Sequence, residues 1–228
     1  KCRESVLKYK HLWDDLTSRM GYWVDLENPY VTFENDYIES VWWAFKQLYE
    51  KNLVYKGYKI QWYSPGSGTV LSSHEVSLGY KETQDPSIYV KFPLDADDNV
   101  YFLAWTTTPW TIISNMALAV NPKLEYVKIR THGEDGEEYF ILAKDCLEDA
   151  IDGDYEIVDS YKGSDLKGWV YKPVFDYALD EFKKDEAWRV VEADYVTTED
   201  GTGVVHTAPA FGADDHATGQ KWDIPMYN

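Results

Sequence analysis

The sequence predicts an α+β fold, in which a β-barrel-like domain decorated by helices follows a helical N-terminal segment. Apolar residues recur at helical spacing as far as about residue 57, and short alternating or β-branched runs separated by turn signals follow. Aromatic residues make up 16% of the chain, including 10 Trp and 19 Tyr. Such rings suit a β-rich core better than a thin helical bundle, so an all-helical fold is disfavoured.

Two helices are predicted at the N-terminus. In residues 6–20 the apolar positions recur at helical spacing and stop at Gly21. A longer apolar stripe follows, with Asn35 as the expected N-cap and Gly57 as the end. We therefore assign residues 1–57 to a helical segment.

The pattern changes after Gly57 to short runs typical of β-strands, which makes residues 58–228 the second predicted domain. The runs are Tyr58–Tyr63, Ile88–Phe92, Val100–Trp105, Tyr126–Ile129, Tyr139–Leu142, Tyr155–Val158, Trp188–Val191 and Val204–His206. Many short strands at this spacing are typical of a barrel or a sandwich. Helices are expected around residues 143–151 and from near Asp214, and the acidic stretch 134–138 is expected at a hairpin tip.

The net charge limits the classes of partner. Lys and Arg number 22 and Asp and Glu number 40, which gives a net charge of −18. This is the wrong sign for a protein that holds phosphate backbones over its whole surface. Any contact with nucleic acid must therefore be local.

The cysteine count and the first residues indicate the compartment and the kind of chain. Only Cys2 and Cys146 occur, far apart, which supports neither a disulfide framework nor a thiolate zinc site and fits a reducing cytosol. No apolar run reaches the roughly 18 residues of a membrane span. The first residue is Lys1 and no signal-peptide pattern follows, so we expect an excised fragment of a longer protein.

The first segment that could carry chemistry is Trp105-Thr106-Thr107-Thr108-Pro109-Trp110-Thr111, at the end of a predicted strand. Thr108 precedes Pro109, so it suits the N-cap of a helix whose first turn holds the proline. The hydroxyls beside a helix N-terminus could equally line a polar ligand pocket. The spacing alone favours the cap.

The second segment runs from Gly201 to Asp215 and predicts a turn, a short strand, a Gly/Pro loop and a helix start. His206 would lie at the end of the strand, where reactive groups are common, although a lone His is more often a satisfied hydrogen-bonding residue. Asp214 and Asp215 are explained equally well as helix N-cap and first-turn acids. We disfavour a metal site at Asp214-Asp215-His216, because consecutive side chains diverge and no second His lies at ligand spacing.

Together these two segments resemble the editing domain of the isoleucyl-tRNA synthetases, often called connective polypeptide one. Three further stretches strengthen the resemblance, which spans essentially the whole chain: Ser114-Asn115 with Ala117–Pro122, Asp85–Phe92, and the helical stretch with Trp42–Phe45 and Leu53–Gly57. The resemblance implies an insertion core at about residues 85–225. Related valine and leucine enzymes carry Arg-Pro after two threonines, so Thr108-Pro109-Trp110 favours the isoleucine branch. Ile113 is a departure, because the family often has Pro there.

The resemblance implies which reaction the chain performs. The ATP-site signatures His-x-Gly-His and Lys-Met-Ser-Lys-Ser do not occur, so we expect no aminoacyl-adenylate synthesis; ATP and Mg belong to the full-length enzyme. What remains is the hydrolysis of valine esterified to isoleucine tRNA, with valyl-adenylate as a further substrate. The expected partners are the tRNA 3′ end and the remainder of the synthetase, in the cytoplasm, with no membrane, cofactor or metal.

The resemblance also assigns roles to residues. Asp215 would anchor the substrate's α-ammonium, since a carboxylate can accept its three N–H donors. His206 would wall the amino-acid pocket and be a candidate in catalysis together with Thr108 and Asp215. The other expected substrate-binding residues are Thr106, Thr107, Trp110, Thr111 and Gly203. Direct attack by water is expected, because no Ser or Cys has a matched base.

Two alternatives remain at this point. A non-catalytic module that binds the tRNA end, or a purely structural insertion, would use the threonines and aspartates only as caps. A metal-assisted hydrolase would lose its activity with a chelator.

Overall fold

A computed structural model describes every residue except Glu134, Asp135 and Asp185. For Arg3 and Asp98 it describes only the backbone. Two of the acids predicted at the hairpin tip therefore lie outside the described residues. The chain divides into two compact units, Lys1–Tyr58 and Lys59–Asn228. None of the helices in the described part has the length and apolar character needed to cross a membrane.

The first unit is helical, as predicted, but its helix boundaries differ. It contains α1 (Cys2–Leu7), α2 (Lys10–Arg19) and α3 (Asn35–Glu50). One helix was predicted over residues 6–20, but the helix is interrupted at Tyr9, whose ψ of 13° is not helical. The apolar periodicity continues through this break and so conceals it.

The ends of α3 were both wrong in the sequence prediction. Glu34, in extended conformation, is the N-cap, and Asn35 is the first helical residue. The helix ends at Glu50 because Asn52 adopts a left-handed conformation with φ 57°, and its N–H donates to the carbonyl of Tyr49. Asn tolerates this conformation better than other residues with a Cβ, so it ends the helix before Gly57.

The second unit contains ten strands and four α-helices among its described residues. The strands are β1 (Tyr63–Ser64), β2 (Thr69–Val70), β3 (Ile88–Leu94), β4 (Asp97–Thr106), β5 (Ala117–Val120), β6 (Glu125–Gly133), β7 (Gly136–Ala143), β8 (Tyr155–Lys162), β9 (Arg189–Glu192) and β10 (Val204–Thr207). The helices are α4 (Ser73–Gly79), α5 (Leu147–Ala150), α6 (Gly163–Leu166) and α7 (Ala213–Trp222), with 3₁₀ turns at Pro109–Ser114 and Lys144–Cys146. The strand predicted at 58–63 is wrong except for its last residue.

The described strands form three sheets, which confirms the α+β class, and they do not form a closed barrel. The orders are β1-β2, β10-β5-β9 and β3-β4-β7-β6-β8. The β4–β7 and β5–β9 pairs are parallel and all other pairs are antiparallel.

One hydrophobic core joins the larger sheets. It contains Phe102 and Ile141 from the five-stranded sheet and Leu118 and Val204 from the three-stranded sheet. A second cluster, which includes Leu103, contains the alternate side chains on the other face of the five-stranded sheet. Strands buried on both faces read as continuous apolar runs, as residues 102–104 do.

The two segments identified from the sequence meet at one edge of this core. Strand β10 pairs with β5 in a register that sets His206 opposite Leu118 and Thr207 opposite Ala117. The chain enters β5 directly from the 3₁₀ helix Pro109–Ser114, which itself follows the end of β4. This pairing therefore brings the threonine-rich segment beside His206.

Gly203, at the start of β10, tests how tightly this edge is packed. It has φ +68°, and a Cβ built there would lie 2.4 Å from the Cβ of Ala143. Gly168 has φ +81°, but nothing lies within 4 Å of its position. We expect Gly203→Ala to lower the free energy of unfolding by about 3 kcal/mol and Gly168→Ala by about 1 kcal/mol, because only the first adds a clash to the strain. Urea unfolding of both variants measures the difference, and equal losses would contradict it.

Candidate functional site

A cavity of about 570 Å³ opens where β4, the 3₁₀ helix, β10 and the start of α7 meet. Six of the residues singled out from the sequence line it: Thr106, Thr108, Trp110, Thr111, His206 and Asp215. Aromatic side chains form much of the remaining wall, namely Trp62, Tyr63, Trp105 and Phe211. The structure thus gathers residues from positions 106–111 and 206–215 around one space.

Two of the expected binding residues, Thr107 and Gly203, do not line this cavity. They line a smaller one of about 250 Å³, and Thr106 borders both. Successive side chains of an extended chain point to opposite sides, which separates Thr107 from its neighbours Thr106 and Thr108. Gly203 has a backbone role, since its conformation and close packing require a glycine.

Thr108 precedes a helix, as predicted, but its hydroxyl does not cap that helix. The helix is 3₁₀, and the N–H of Thr111 donates to the carbonyl of Thr108 at 3.1 Å. That backbone bond takes the N–H that a capping side chain would otherwise use. The Thr108 hydroxyl lies 3.3 Å from the hydroxyl of Thr106 instead, at the cavity wall.

His206 is almost buried, with 8% of its surface exposed, and the protein binds both of its ring nitrogens. Nδ1 lies 2.9 Å from the Asn115 side-chain nitrogen, and Nε2 lies 2.8 Å from the Thr111 hydroxyl. The Asn115 nitrogen also donates to the carbonyl of Ala117 at 2.9 Å, which fixes it as the donor atom. Nδ1 is therefore the acceptor, and the proton lies on Nε2.

The electrostatics of His206 agree with this tautomer. Burial lowers its pKa to about 4, because the imidazolium would lose its hydration. A second ring proton would also point at the amide N–H of Asn115. The imidazole is thus neutral, and neither nitrogen has a free lone pair to take a proton from water.

Asp215 lies in the first turn of α7, half-buried, where acids complement the helix dipole. Gly212, not Asp214, is the N-cap of this helix, and its lack of a Cβ leaves room for the Asp215 carboxylate. Burial raises the pKa of Asp215 to about 6, although the hydrogen bond from the Ala208 N–H lowers it. The neighbouring Asp214 raises it further.

Among the described residues that line the cavity, Asp215 is the only carboxylate and none is a Lys or an Arg. The other polar groups there are hydroxyls, an amide, indoles and the neutral His206. A half-buried carboxylate among neutral groups favours a small cationic ligand that can replace its lost hydration with hydrogen bonds.

Two polar residues that hold this site were not predicted from the sequence. Asn115, 4% exposed, was noted only as part of a motif, and Tyr171, 1% exposed, carried no signal at all. Tyr171 comes close to the site only through the tertiary fold. In the described part of the chain, no three His, Cys, Asp or Glu side chains gather as a metal site would require.

Comparison with known proteins gives consistent matches. The family described as tRNA synthetases class I (I, L, M and V) matches residues 1–204. The isoleucine–tRNA ligase of Clostridium novyi is 50% identical over 228 residues, and the cytoplasmic one of Mus musculus is 46% identical over 226 residues. These matches cover 100% and 98% of this chain and 21% and 18% of the relatives, so the chain spans about a fifth of their length.

Among solved structures, the P. knowlesi cytosolic leucyl-tRNA synthetase editing domain is similar with a TM-score of 0.46 and 16% identity. The match covers 63% of this chain and 64% of that one.

The raised pKa of Asp215 has a consequence for stability. Between about pH 4 and pH 6 the folded state holds more protons at this carboxyl than the unfolded state, so its contribution to stability falls as pH rises. Asp215→Asn removes this cost and keeps an acceptor for the Ala208 N–H. We expect the stability of the variant relative to the parent chain to increase as the pH rises from about 4 to about 7.

Urea unfolding at the two pH values measures this gain. His206 contributes in the opposite direction, since its lowered pKa makes stability rise with pH, but it does so equally in both proteins. Asp214→Asn, at the exposed neighbouring position, is the matched control, and it should show only the smaller part of the gain that follows from removing the Asp214 charge. If the difference in free energy of unfolding between Asp215→Asn and the parent stays constant with pH, or if Asp214→Asn shows the same difference, the raised pKa does not belong to Asp215.

Proposed function

Because the chain belongs to the class I tRNA synthetases and matches isoleucine–tRNA ligases along its whole length, we propose that it edits their product. Its reaction is the hydrolysis of valine wrongly esterified to isoleucine tRNA. The observation that carries the proposal is the placement of Asp215, the one carboxylate that the structure describes on the lining, in a cavity of hydroxyl and aromatic groups.

The need for such a site follows from hydrophobic selectivity. A pocket that binds isoleucine gains only about 1 to 3 kcal/mol over valine from the extra methylene, and these synthetases illustrate that limit. A second, smaller pocket that admits valine and excludes isoleucine removes the error by hydrolysis.

Asp215 holds the α-ammonium of the substrate. Its carboxylate can accept two or three charge-assisted hydrogen bonds from a group with three N–H donors. A bound ammonium also offsets the desolvation that raises the pKa of Asp215, so binding favours the ionised carboxylate. This contact fixes the position of the amino acid, and the ester carbonyl follows from it.

Thr106 and Thr108 supply hydroxyls for the carbonyl oxygen and the terminal ribose. The Thr108 N–H donates to the Thr106 hydroxyl at 3.1 Å, and the two hydroxyls lie 3.3 Å apart. Thr111 acts differently, since its hydroxyl accepts from His206 and donates to the carbonyl of Thr108 at 2.8 Å. Thr111 therefore positions the site, and Thr108 presents a donor toward the developing oxyanion.

His206 forms a wall beside the amino-acid side chain, not a general base. Both of its nitrogens are engaged by Asn115 and Thr111, and burial keeps the ring neutral. The described residues of the cavity lining include no Ser or Cys, and neither nitrogen of His206 is free to activate a threonine hydroxyl, so water attacks the ester directly. The ester is already activated by its alcohol leaving group, so positioning and oxyanion stabilisation carry the catalysis.

The aromatic wall suits the terminal adenosine of the tRNA. Trp110 is 66% exposed at the cavity, and stacking of a base on such a ring contributes about 1 to 3 kcal/mol. The chain as a whole carries a charge of −18, so most phosphate contacts come from the remainder of the synthetase. ATP and Mg act in that remainder, and the working location is the cytoplasm.

Hydrolysis of valyl- and isoleucyl-tRNA, both carrying isoleucine tRNA, tests the proposal directly. We expect the chain to release valine faster than isoleucine with a chelator present. Asp215→Asn should lower the valine rate at least about 100-fold, because a charged anchor is lost where both affinity and positioning depend on it. Asp214→Asn, beside it and exposed, should retain the rate.

The same assay separates the alternatives. Equal activity of Asp215→Asn and Asp214→Asn would favour a module in which the aspartates are only helix acids. Activity that disappears with the chelator would indicate metal assistance. His206→Ala should raise the isoleucine rate relative to the valine rate, and unchanged selectivity would remove His206 from the wall. If the chain alone is inactive, repeating the assay in the full-length synthetase separates poor tRNA delivery from a wrong site.

A further inference from the structure

The hydrogen bonds that hold His206 do not stop at Asn115 but continue into the core. The hydroxyl of Tyr171 donates to the Asn115 side-chain oxygen at 2.6 Å. Both residues are buried. The ring of Tyr171 packs edge-on against the ring of Phe92, with 5.5 Å between the ring centroids, and its backbone forms a β-bridge with Leu94. A network of hydrogen bonds thus runs from the core to the cavity.

The donors along this hydrogen-bond network all point in the same direction. Tyr171 donates to Asn115, Asn115 to Nδ1 of His206, and Nε2 of His206 to Thr111. Thr111 then donates to the carbonyl of Thr108. Each hydroxyl and each ring proton is used once, and the Asn115 amide, which also donates to the Ala117 carbonyl, keeps the donors aligned from Tyr171 to Thr108.

The Asn115 backbone is clamped as well. The indole N–H of Trp188 donates to the Asn115 carbonyl at 3.1 Å. Trp188 is buried with φ 52°, a left-handed conformation that is strained for a bulky residue. Its backbone N–H and carbonyl bind Met116 and Tyr171, which hold it in that conformation.

Tyr171 is the donor end of the chain for a physical reason. Burial raises its pKa well above the usual 10, so the hydroxyl keeps its proton. Without that hydroxyl, the Asn115 oxygen would be a buried acceptor with no donor from Tyr171. The Asn115 amide would then be oriented only by its hydrogen bond to the Ala117 carbonyl, so its hold on the His206 tautomer would weaken.

We propose that Tyr171 is a positioning residue for the editing site, which acts through Asn115 to hold His206 in its Nε2-protonated tautomer and so to orient Thr111 and Thr108. This rests on the proposed function. Tyr171 itself touches no substrate: it lies two hydrogen bonds away from the cavity wall. Loss of its hydroxyl weakens the hydrogen-bond network that orients His206 and leaves the residues that line the pocket unchanged.

The test uses Tyr171→Phe in the 228-residue chain, with ¹⁵N-labelled histidine. Two-bond ¹H–¹⁵N correlation spectra distinguish protonated from unprotonated ring nitrogens, and the His206 signal is assigned by its absence in His206→Gln. In the parent chain we expect protonated Nε2 and unprotonated Nδ1 at neutral pH. In Tyr171→Phe we expect mixed or reversed tautomers, and a fall of about tenfold in kcat for valyl-tRNA hydrolysis with KM nearly unchanged.

Tyr126→Phe is the matched control. Tyr126 is equally buried, and its hydroxyl accepts from the Asn121 N–H and donates to the Gly203 carbonyl. It should lose comparable thermal stability and keep the parent His206 signal.

Three outcomes would overturn the inference. Unchanged His206 nitrogens in folded Tyr171→Phe, or the same change in Tyr126→Phe, would refute the clamp. A changed tautomer with unchanged kcat would refute its role in the reaction. If the parent sequence hydrolyses no valyl-tRNA even in the full-length synthetase, the proposed function fails and the role in hydrolysis with it, while the nitrogen signals still decide whether Tyr171 sets the tautomer.

Discussion

The hydrogen bond between Asn115 and Nδ1 of His206 joins the second segment of the site to the residues that directly follow the first. It forms only because β10 pairs with β5 in a register that sets His206 opposite Leu118. It also requires a neutral ring, and burial supplies that condition. The threonines keep their arrangement through this contact, because His206 engages Thr111 and Thr111 engages Thr108.

The site therefore divides its work between a fixed frame and one charge. The frame is a network, buried from Tyr171 to His206, whose members satisfy one another, so it needs no reorganisation when a ligand enters. The charge is Asp215, whose burial costs stability. Under the proposed function this cost fits a site that selects an ammonium group and then acts on an ester placed beside ordered hydroxyls. The acidity of the chain as a whole is compatible with it, since the lining residues that the structure describes include no phosphate-binding cation.

The sequence predicted much of the fold and part of the site. Strands such as 88–92 and 139–142 were predictable because strong apolar runs end at clear turn signals. The end of α3 was not, since an Asn at position 52 takes the left-handed conformation expected of Gly57. Local motifs identified Thr108, His206 and Asp215. They gave no sign of Tyr171, which is 56 residues from Asn115 and meets it only through tertiary packing.

The central claim is that Asp215 receives the ammonium of the bound amino acid, and its own titration tests this most directly. The measurement is the ¹³C shift of the Asp215 carboxyl across pH, in the free chain and saturated with a non-hydrolysable amide analogue of valyl-adenosine. The account predicts a pKa of about 6 in the free chain and a clearly lower value in the complex. An analogue that binds, as other resonances would report, but leaves the titration of Asp215 unchanged would contradict the claim.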